Sequence, residues 1–317
     1  MTYIIGHQKP DLDTVVSSVA TQYLFDQKEG FGHVGAQPVL AGTHNEETSF
    51  VFEKFGVKIP PVLVNEQLLP GDSFVLVDHN EKSQRFDTIA NDAIIEIIDH
   101  HPIELSTNAI FVTVKPWGST ASIIYFLMKQ NNVTPPQEIA GLMLSAILSD
   151  TVGFRSSTTT QNDKDFVTEL AHIAEINDVE AYIFELFKVK SNVTHLSPQQ
   201  IVTKDYKKFN MSGKQVLINQ VETVEQSKLV AQKAELTSAM RDVKQLEGVE
   251  YIFCAISDVL AVNTKMLYSN ENERRILEEA FDVAPIEDAV FDIGPRLSRK
   301  NEFVPPIQMA IKQLDLE

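Results

Sequence analysis

The stretch GHQKPDLDT, residues 6–14, contains one histidine and two carboxylates within seven residues: His7, Asp11 and Asp13. It follows directly on the apolar run YII. One interpretation is a polar turn after a strand, in which Asp13 caps the N-terminus of a helix. The other is a metal site, because imidazole and carboxylate groups bind divalent transition metals. The stretch alone leaves both interpretations open.

Three other apolar runs end in the same residue types. These ends are Asp78 and His79 after SFVLV, Asp99, His100 and His101 after AIIEII, and Asp150 after GLMLSAILS. Each could be a turn residue, but uncharged turn formers would serve equally well at these positions. Carboxylates that converge on one place need cations to neutralise them. Taken together, the ends therefore predict a metal site.

The donor types indicate which metal and which reaction to expect. Aspartate combined with histidine suits Mn²⁺ or Co²⁺ better than Mg²⁺, which favours oxygen ligands and water. The ligands are too numerous for one ion. Two ions that share a bridging carboxylate can activate a water and bind the oxygens of an in-line phosphoryl displacement. The predicted reaction is hydrolysis at phosphorus.

A cationic segment, RLSRKNEFVPP, lies near the C-terminus and contains Arg296, Arg299 and Lys300. It could be a solvated basic loop or a set of helix-end charges. It could also bind phosphate oxygens, since arginine offers a bidentate fork and lysine a point charge. Lys204 is a candidate to join it. Three lysines that follow Lys204 along the chain are interpreted as exposed strand and turn charges: Lys207, Lys208 and Lys214.

Composition excludes several classes of function. The formal net charge of −17, concentrated in residues 1–188 with 25 acidic and 11 basic side chains, argues against a nucleic-acid partner. No apolar run approaches the roughly 18 residues of a membrane span, and the start MTYIIGHQKPD is not a signal peptide. The single cysteine, Cys254, lies in the apolar run YIFCAI and cannot form an internal disulfide. We expect a cytoplasmic protein without membrane contact.

The apolar patterns predict an α/β fold with two domains. Strands are expected at 2–5, 38–41, 61–64, 73–77, 93–98 and 110–114, and helices at 14–27, 46–55, 119–130, 135–149, 161–175 and 180–188. This alternation is typical of a mostly parallel, doubly wound sheet, in which ligands bind beyond the carboxyl ends of the strands. The first domain is expected to span residues 1–188.

The polar stretch SNVTHLSP interrupts the helical pattern and predicts a hinge linker at 189–197. Residues 198–317 then form a smaller α/β domain with a mixed sheet. Two strands flank a Ser-Gly turn, a long helix covers 224–246, and further strands cover 251–257, 262–269 and 289–293. The first domain would supply metals and a nucleophilic water, and the second would supply positive charge to the substrate.

Five motifs in order resemble those of the family II inorganic pyrophosphatases, the manganese-dependent, DHH-type phosphoesterases. They are GHxxPDxD, VDHN, DHH at 99–101, SDT at 149–151 and SRK followed by VP at 298–305. The resemblance covers essentially the whole chain. It implies a DHH-type first domain, a DHHA2-type second domain, and hydrolysis of pyrophosphate to two orthophosphates by a hydroxide that bridges two metals.

The resemblance also implies a role for each residue of the motifs. Metal ligands would be His7, Asp11 and Asp78 for one ion and Asp13, Asp78, His100 and Asp150 for the other, with Asp78 bridging. Substrate would be contacted by His101, Lys204, Arg299 and Lys300. Asp99 would orient a histidine ligand. Each subunit would bind two Mn²⁺ or Co²⁺ ions, with additional Mg²⁺ entering with pyrophosphate, and the protein would be a homodimer paired through the N-terminal domain.

The sequence departs from this family at two places. Pro102 follows the DHH triplet where the family usually has arginine, and the loop SDTVGFRSSTTT differs from the common SDxxxFKSPT. Neither departure removes a predicted ligand. Alternative functions are an exopolyphosphatase or a nucleotide phosphodiesterase built on the same site, or a non-catalytic protein that binds metal or phosphate.

Overall fold

The chain divides into two units, Met1–Lys190 and Ser191–Glu317. The structure is a computed structural model that describes residues 1–105 and 110–314, with Gln67 described by its backbone alone. Along this part of the chain, no helix combines the length and apolar character that crossing a bilayer requires. The hinge function of residues 189–197 stays a prediction.

The first unit contains a five-stranded parallel sheet. Its strands are β1 (Thr2–Ile5), β2 (Gln37–Val39), β3 (Ser73–Val77), β4 (Ile94–Asp99) and β5 (Phe111–Val114). They are arranged in the order β2-β1-β3-β4-β5. The chain therefore moves from β1 to one side and then crosses to the other, so the switch point lies between β1 and β3. In such sheets ligands bind beyond the carboxyl ends of the strands at this point.

Six α-helices lie in the described part of the first unit. They are α1 (Leu12–Gln27), α2 (Glu46–Lys54), α3 (Thr120–Gln130), α4 (Gln137–Asp150), α5 (Gln161–Ile173) and α6 (Val179–Lys190). Residues 74–77 of β3 are all buried, as expected of a central strand in a parallel sheet. The predicted α/β class and the parallel sheet of this unit are confirmed.

The predicted strand at 61–64 is wrong. This segment makes only the isolated bridge between Leu40 and Val62. Pro60 and Pro61 precede Val62 and have no N–H to donate to a ladder, which disfavours a regular strand.

Helix α1 begins at Leu12, before the expected start at residue 14. Its N-cap is Asp11, whose carboxylate accepts a 3.0 Å hydrogen bond from the backbone N–H of Thr14. Asp13 lies inside the first turn and is fully buried. The interpretation of Asp13 as the cap is therefore wrong, because Asp11 occupies that position.

The second unit contains a six-stranded mixed sheet in the order β10-β11-β9-β8-β7-β6. Its strands are β6 (Tyr206–Met211), β7 (Lys214–Thr223), β8 (Tyr251–Asp258), β9 (Asn263–Leu267), β10 (Pro285–Glu287) and β11 (Val290–Asp292). Strands β7 and β8 are parallel, and the other neighbours are antiparallel. The predicted mixed sheet is confirmed.

Helices pack on both faces of this second sheet. They are α7 (Pro198–Thr203), α8 (Gln226–Val230), α9 (Lys233–Glu247), α10 (Glu271–Phe281) and α11 (Val304–Leu314), preceded by a π-helical turn at Arg299–Phe303. The long helix predicted at 224–246 is in fact α8 and α9, separated near Gln232. Sequence patterning missed α10, whose apolar stripe is narrow in a highly charged segment, and α11, which has two prolines in its first turn.

The two faces of this sheet carry separate apolar clusters. Tyr206 of β6 packs against the cluster that includes Leu236 and Met240 of α9, whereas Phe209 packs against the cluster that includes Phe303 and Ile307. Side chains therefore alternate between the two faces along β6.

Candidate metal centre

Two groups of side chains in the first unit could each hold a metal ion. One consists of His7, Asp11 and Asp78, and the other of Asp13, Asp78, His100 and Asp150. In each group the ligand atoms lie within 4.8 Å of one another. These residues follow β1, β3 and β4 or end α4, so the switch point of the sheet brings them together. A third, overlapping group contains Asp78, His100 and His101.

Asp78 belongs to every group. Its Oδ2 lies 3.6 Å from Nε2 of His7, and its Oδ1 lies 3.4 Å from Nε2 of His100. Each oxygen also accepts a hydroxyl hydrogen bond, Oδ2 from Thr14 at 2.7 Å and Oδ1 from Thr120 at 3.0 Å. The backbone of Asp78 is left-handed, with φ of 60°, a conformation that is uncommon outside glycine and is often found at functional sites.

Asp13 is bound by the N-terminus of α3. Its Oδ2 accepts the backbone N–H of Thr120 at 2.7 Å, and its Oδ1 accepts the hydroxyl of Ser119 at 2.7 Å and the N–H of Ala121 at 3.0 Å. A helix N-terminus favours negative charge, because its first N–H groups are unpaired within the helix. The motif GSTAS, residues 118–122, thus fixes Asp13.

The histidines are oriented by groups behind them. Nδ1 of His100 lies 2.9 Å from the carbonyl oxygen of Trp117, so Nδ1 donates and Nε2 is the nitrogen that faces the carboxylates and could bind a metal. His101 differs, since its Nδ1 lies 2.9 Å from Oδ1 of Asp99. The side chain of His101 is 37% exposed, against 13% for His100. His101 is therefore the more accessible of the two.

The carboxylates shift one another's pKa values. Burial, followed by the charge of Asp78, raises the pKa of Asp13 to about 7. Burial and the charge of Asp13 raise the pKa of Asp150 well above its ordinary value. Burial opposes protonation of His100, but its hydrogen bond with Asp78 and the charges of the surrounding carboxylates together outweigh burial and raise its pKa to about 10. Divalent cations would replace these protons.

The side chains present fit first-row transition metals. They combine the buried carboxylates of Asp13 and Asp78 with imidazole nitrogens, the donor mixture that such ions accept, and a backbone carbonyl sets the tautomer of His100. The two oxygens of Asp78 each face a different histidine, as a bridging ligand requires. The arrangement can bind a metal cation and polarise a water.

Several residues that position the site were not identified from the sequence. Asp163 is fully buried and accepts the N–H of Gly118 and the hydroxyls of Ser122 and Thr160. A Cβ on Gly118 would lie 2.9 Å from Oδ2 of Asp163, so glycine is needed there. The sequence signal was the pattern TQND, since Thr160 and Asp163 form a capping box.

The last two residues of the motif VDHN, His79 and Asn80, make contacts that differ from those of Asp78. His79 is fully buried, its Nδ1 lies 3.0 Å from the carbonyl of Val77, and it belongs to none of the candidate ligand groups among the described residues. Asn80 donates to Asp99 and, at 3.0 Å, to the carbonyl of Pro102. Asn80 thus anchors the segment in which this sequence departs from the family pattern.

The predicted cations of the second unit lie near the π-helical turn. Arg299 donates at 2.7 Å to the carbonyl and at 2.8 Å to the carboxylate of Asp205. Lys300 is exposed and has no ion-pair partner along the described residues. Lys204 is exposed at the C-terminal end of α7.

Lys207 lies exposed on β6, as the sequence predicts, and its register there distinguishes it from the neighbouring lysines. It is paired in register with Ile218, whose carbonyl lies 3.4 Å from a guanidinium nitrogen of Arg299. Strand alternation puts Lys207 on the face of Phe209, which packs with Phe303 of the same π-helical turn. Only strand register carries this information, so the sequence alone did not select Lys207.

Comparisons with known proteins cover nearly the whole chain. Residues 1–147 match the N-terminal domain of the DHH family, and residues 184–310 match the DHHA2 domain. The manganese-dependent inorganic pyrophosphatase of Methanocaldococcus jannaschii is 36% identical over 321 residues, which covers 98% of this chain and 99% of that protein.

Solved structures agree with this similarity. A crystal structure from Methanococcus jannaschii, described as a family II inorganic pyrophosphatase, has 35% identity and a TM-score of 0.62, with 98% of this chain and 100% of that chain covered. An exopolyphosphatase-related protein from Bacteroides fragilis has 15% identity and a TM-score of 0.51, over 98% of this chain and 92% of that one. The second likeness concerns the fold alone.

Proposed function

The chain belongs to the family II, manganese-dependent inorganic pyrophosphatases, and we propose that it hydrolyses pyrophosphate to two orthophosphates. The observation that carries the proposal is the position of Asp78. Its two oxygens face His7 at 3.6 Å and His100 at 3.4 Å, and each histidine belongs to a separate group of potential ligands.

We propose that two Mn²⁺ ions bind per chain and that Co²⁺ can replace them, with Mg²⁺ entering together with pyrophosphate. His7, Asp11 and Asp78 would bind one ion, and Asp13, Asp78, His100 and Asp150 the other. When bound, the pair supplies Lewis acidity that lowers the pKa of a water and neutralises charge on phosphate oxygens. Thr14 and Thr120 keep the carboxylate plane of Asp78 oriented between the two groups.

His101 is proposed to contact the substrate. Its hydrogen bond with Asp99, together with the charge of Asp78, outweighs burial and raises its pKa, so the imidazolium form is favoured. An imidazolium can donate a hydrogen bond to a phosphate oxygen and neutralise charge as the leaving phosphate forms. Asp99 is proposed to orient this ring.

Arg299, Lys300 and Lys204 are proposed to bind phosphate oxygens, and Lys207 is added to this set. Asp205 keeps the guanidinium of Arg299 beside β6, and Lys207 lies on the same face of that strand. Arginine offers paired N–H donors and lysine a compact charge, which together suit the four negative charges that pyrophosphate carries when fully ionised.

A homodimer paired through the first unit is also proposed. Strand β5 is at the end of the sheet, and the side chains of Phe111 and Val112 on it are 74% and 42% exposed. An exposed apolar edge strand is a template for pairing with a second copy. Cytoplasmic location stays a prediction, and so does the absence of nucleic-acid partners.

Phosphate release tests the proposal. Purified protein is stripped with a chelator and given Mn²⁺, Co²⁺ or Mg²⁺, with pyrophosphate, tripolyphosphate, long-chain polyphosphate or a phosphodiester as substrate. We expect hydrolysis of pyrophosphate to exceed the others by a wide margin and to require metal. Faster hydrolysis of polyphosphate or the phosphodiester would contradict pyrophosphate as the substrate. Absence of hydrolysis with metal present would contradict the assignment of the protein as an enzyme.

A further inference from the structure

We infer that Glu47, a residue outside the ligand groups, is a positioning residue that balances the charge of Lys190 beside the metal ligands and thereby sets the affinity for Mn²⁺. This inference rests on the metal centre of the proposed function. It does not depend on which phosphate compound is the substrate.

The network consists of three side chains from three helices of the first unit. The hydroxyl of Ser149 donates to Oε1 of Glu47 at 2.7 Å, and Nζ of Lys190 donates to the hydroxyl of Ser149 at 2.6 Å. Nζ of Lys190 also lies 3.7 Å from Oε2 of Glu47. The hydroxyl of Ser149 therefore lies between the ammonium and the carboxylate.

The network adjoins both groups of potential ligands. Ser149 directly precedes Asp150 at the end of α4, so fixing its side chain limits the freedom of that ligand. Burial opposes ionisation of Asp11, but His7, the N–H of Thr14 and, after them, the charge of Lys190 together lower its pKa. A cation whose charge acts on Asp11 and whose ammonium donates to Ser149, the residue before Asp150, also opposes the binding of metal ions.

Glu47 is the residue of the network whose charge should affect the metal site most. Its side chain is only 2% exposed, and burial raises its pKa, which the charge of Lys190 opposes. At 3.7 Å from the ammonium of Lys190, the carboxylate of Glu47 offsets that positive charge toward the metals. Without the negative charge of Glu47, the ammonium would face the ligand groups uncompensated. The side chain of Lys190 is 40% exposed, so water screens part of this repulsion.

A simpler explanation is that the network only fastens α2 to α6. The same two helices are joined by a second ion pair, since Nζ of Lys54 lies 2.9 Å from the carboxylate of Glu185. That pair involves no residue next to a proposed ligand. Glu185→Gln is therefore the matched control for Glu47→Gln.

The experiment measures Mn²⁺ dissociation constants by calorimetry without pyrophosphate, together with thermal unfolding of the metal-free protein. The amide introduced by Glu47→Gln keeps an oxygen that can accept from Ser149, so this substitution removes the charge and little else. We expect it to weaken Mn²⁺ binding by about tenfold or more, as measured for groups behind metal ligands elsewhere. Glu185→Gln should leave Mn²⁺ binding unchanged, even where it lowers the unfolding temperature equally.

The decisive variant combines Glu47→Gln with Lys190→Met. Both side chains are then neutral, so the two positions carry no net charge, as in the wild-type ion pair. We expect it to bind Mn²⁺ within about threefold of wild type, because the two changes are coupled. Lys190→Met alone should bind Mn²⁺ at least as tightly as wild type. The inference is overturned if Glu47→Gln binds Mn²⁺ normally, if the double variant is as weak as the single one, or if Lys190→Met weakens binding tenfold.

A failure of the proposed function would look different. If the wild-type protein bound Mn²⁺ but released no phosphate from pyrophosphate, the assigned reaction would fail while the metal measurements kept their meaning. If Glu47→Gln did not fold, Lys190→Met would still test the sign of the effect.

Discussion

Nε2 of His100 lies 3.4 Å from Oδ1 of Asp78. Two donor atoms that each lie about 2.1 Å from one metal ion are separated by about 3 Å. The two residues follow the neighbouring parallel strands β4 and β3, so sheet geometry alone brings them together. Since the other oxygen of Asp78 faces His7, this carboxylate is the residue on which the proposed two-metal centre depends.

Thr14 supports that carboxylate, and its loss should weaken metal binding. Thr14→Val removes the 2.7 Å hydrogen bond to Oδ2 of Asp78 at nearly constant volume. We expect the Mn²⁺ dissociation constant to rise about tenfold. The control is Thr21→Val on the same helix, because the buried hydroxyl of Thr21 has no hydrogen-bond partner among the described residues. That change should leave Mn²⁺ binding intact, and equal weakening in both variants would contradict the assignment.

Mn²⁺ binding should release protons at pH 7. The pKa of His100 is raised to about 10 and that of Asp13 to about 7, so the metal-free site retains protons that a cation must displace. Lower pH adds protons to these groups, and affinity should therefore fall as pH decreases from 8 to 6, values chosen to bracket the pKa of Asp13. Calorimetry in buffers of different ionisation enthalpy measures the release, expected to be about one proton or more per chain. Binding without proton exchange would contradict this electrostatic description.

Asp163 should be important for both stability and metal binding. Asp163→Ala leaves the buried N–H of Gly118 and the hydroxyl of Ser122 without their acceptor and removes the N3 side chain of the capping box of α5. We expect a loss of about 3 kcal/mol in the free energy of unfolding, measured by urea denaturation of the metal-free protein. Asp165→Asn, on the exposed side of α5, is the control and should change stability by less than about 0.5 kcal/mol. Equal stability of the two variants would contradict the role of Asp163.

The cations of the second unit should affect turnover without affecting Mn²⁺ binding. Arg299→Ala is expected to lower kcat about 100-fold, the effect typical of losing a donor that stabilises developing negative charge. Lys207→Ala and Lys204→Ala distinguish the two candidate lysines, and we expect the larger rise in KM for Lys207, which shares a strand face with the π-helical turn. Lys214→Ala, at the start of β7, is the control. Normal kcat together with normal KM in Arg299→Ala would exclude phosphate binding by this arginine.

The sequence was informative wherever function depends on the ends of strands. Parallel strands must end at one edge of a sheet, so the carboxylates and histidines that follow apolar runs can be grouped from the sequence alone. Family motifs then assign a role to each residue. The same reasoning cannot find the donors to Asp13, because Thr120 lies 107 residues away along the chain.

Errors arose where local pattern and tertiary context disagree. PVLV at 61–64 is apolar enough for a strand, but two prolines remove donors from its start. Asp13 looks like a cap because it precedes an apolar run, yet Pro10 and the turn put the cap at Asp11. Lys207 is an exposed strand residue, as expected, and strand register adds only which face of β6 it occupies.

The most direct test of the account is a Mn²⁺ titration in which metal bound per chain and pyrophosphate hydrolysis are measured in the same samples. We predict that turnover develops only as the second ion binds. Asp78→Ala should remain folded, bind fewer than two ions and lose essentially all turnover, because the bridging carboxylate is missing. Full turnover with one ion per chain, or an unchanged rate in Asp78→Ala, would contradict the two-metal centre.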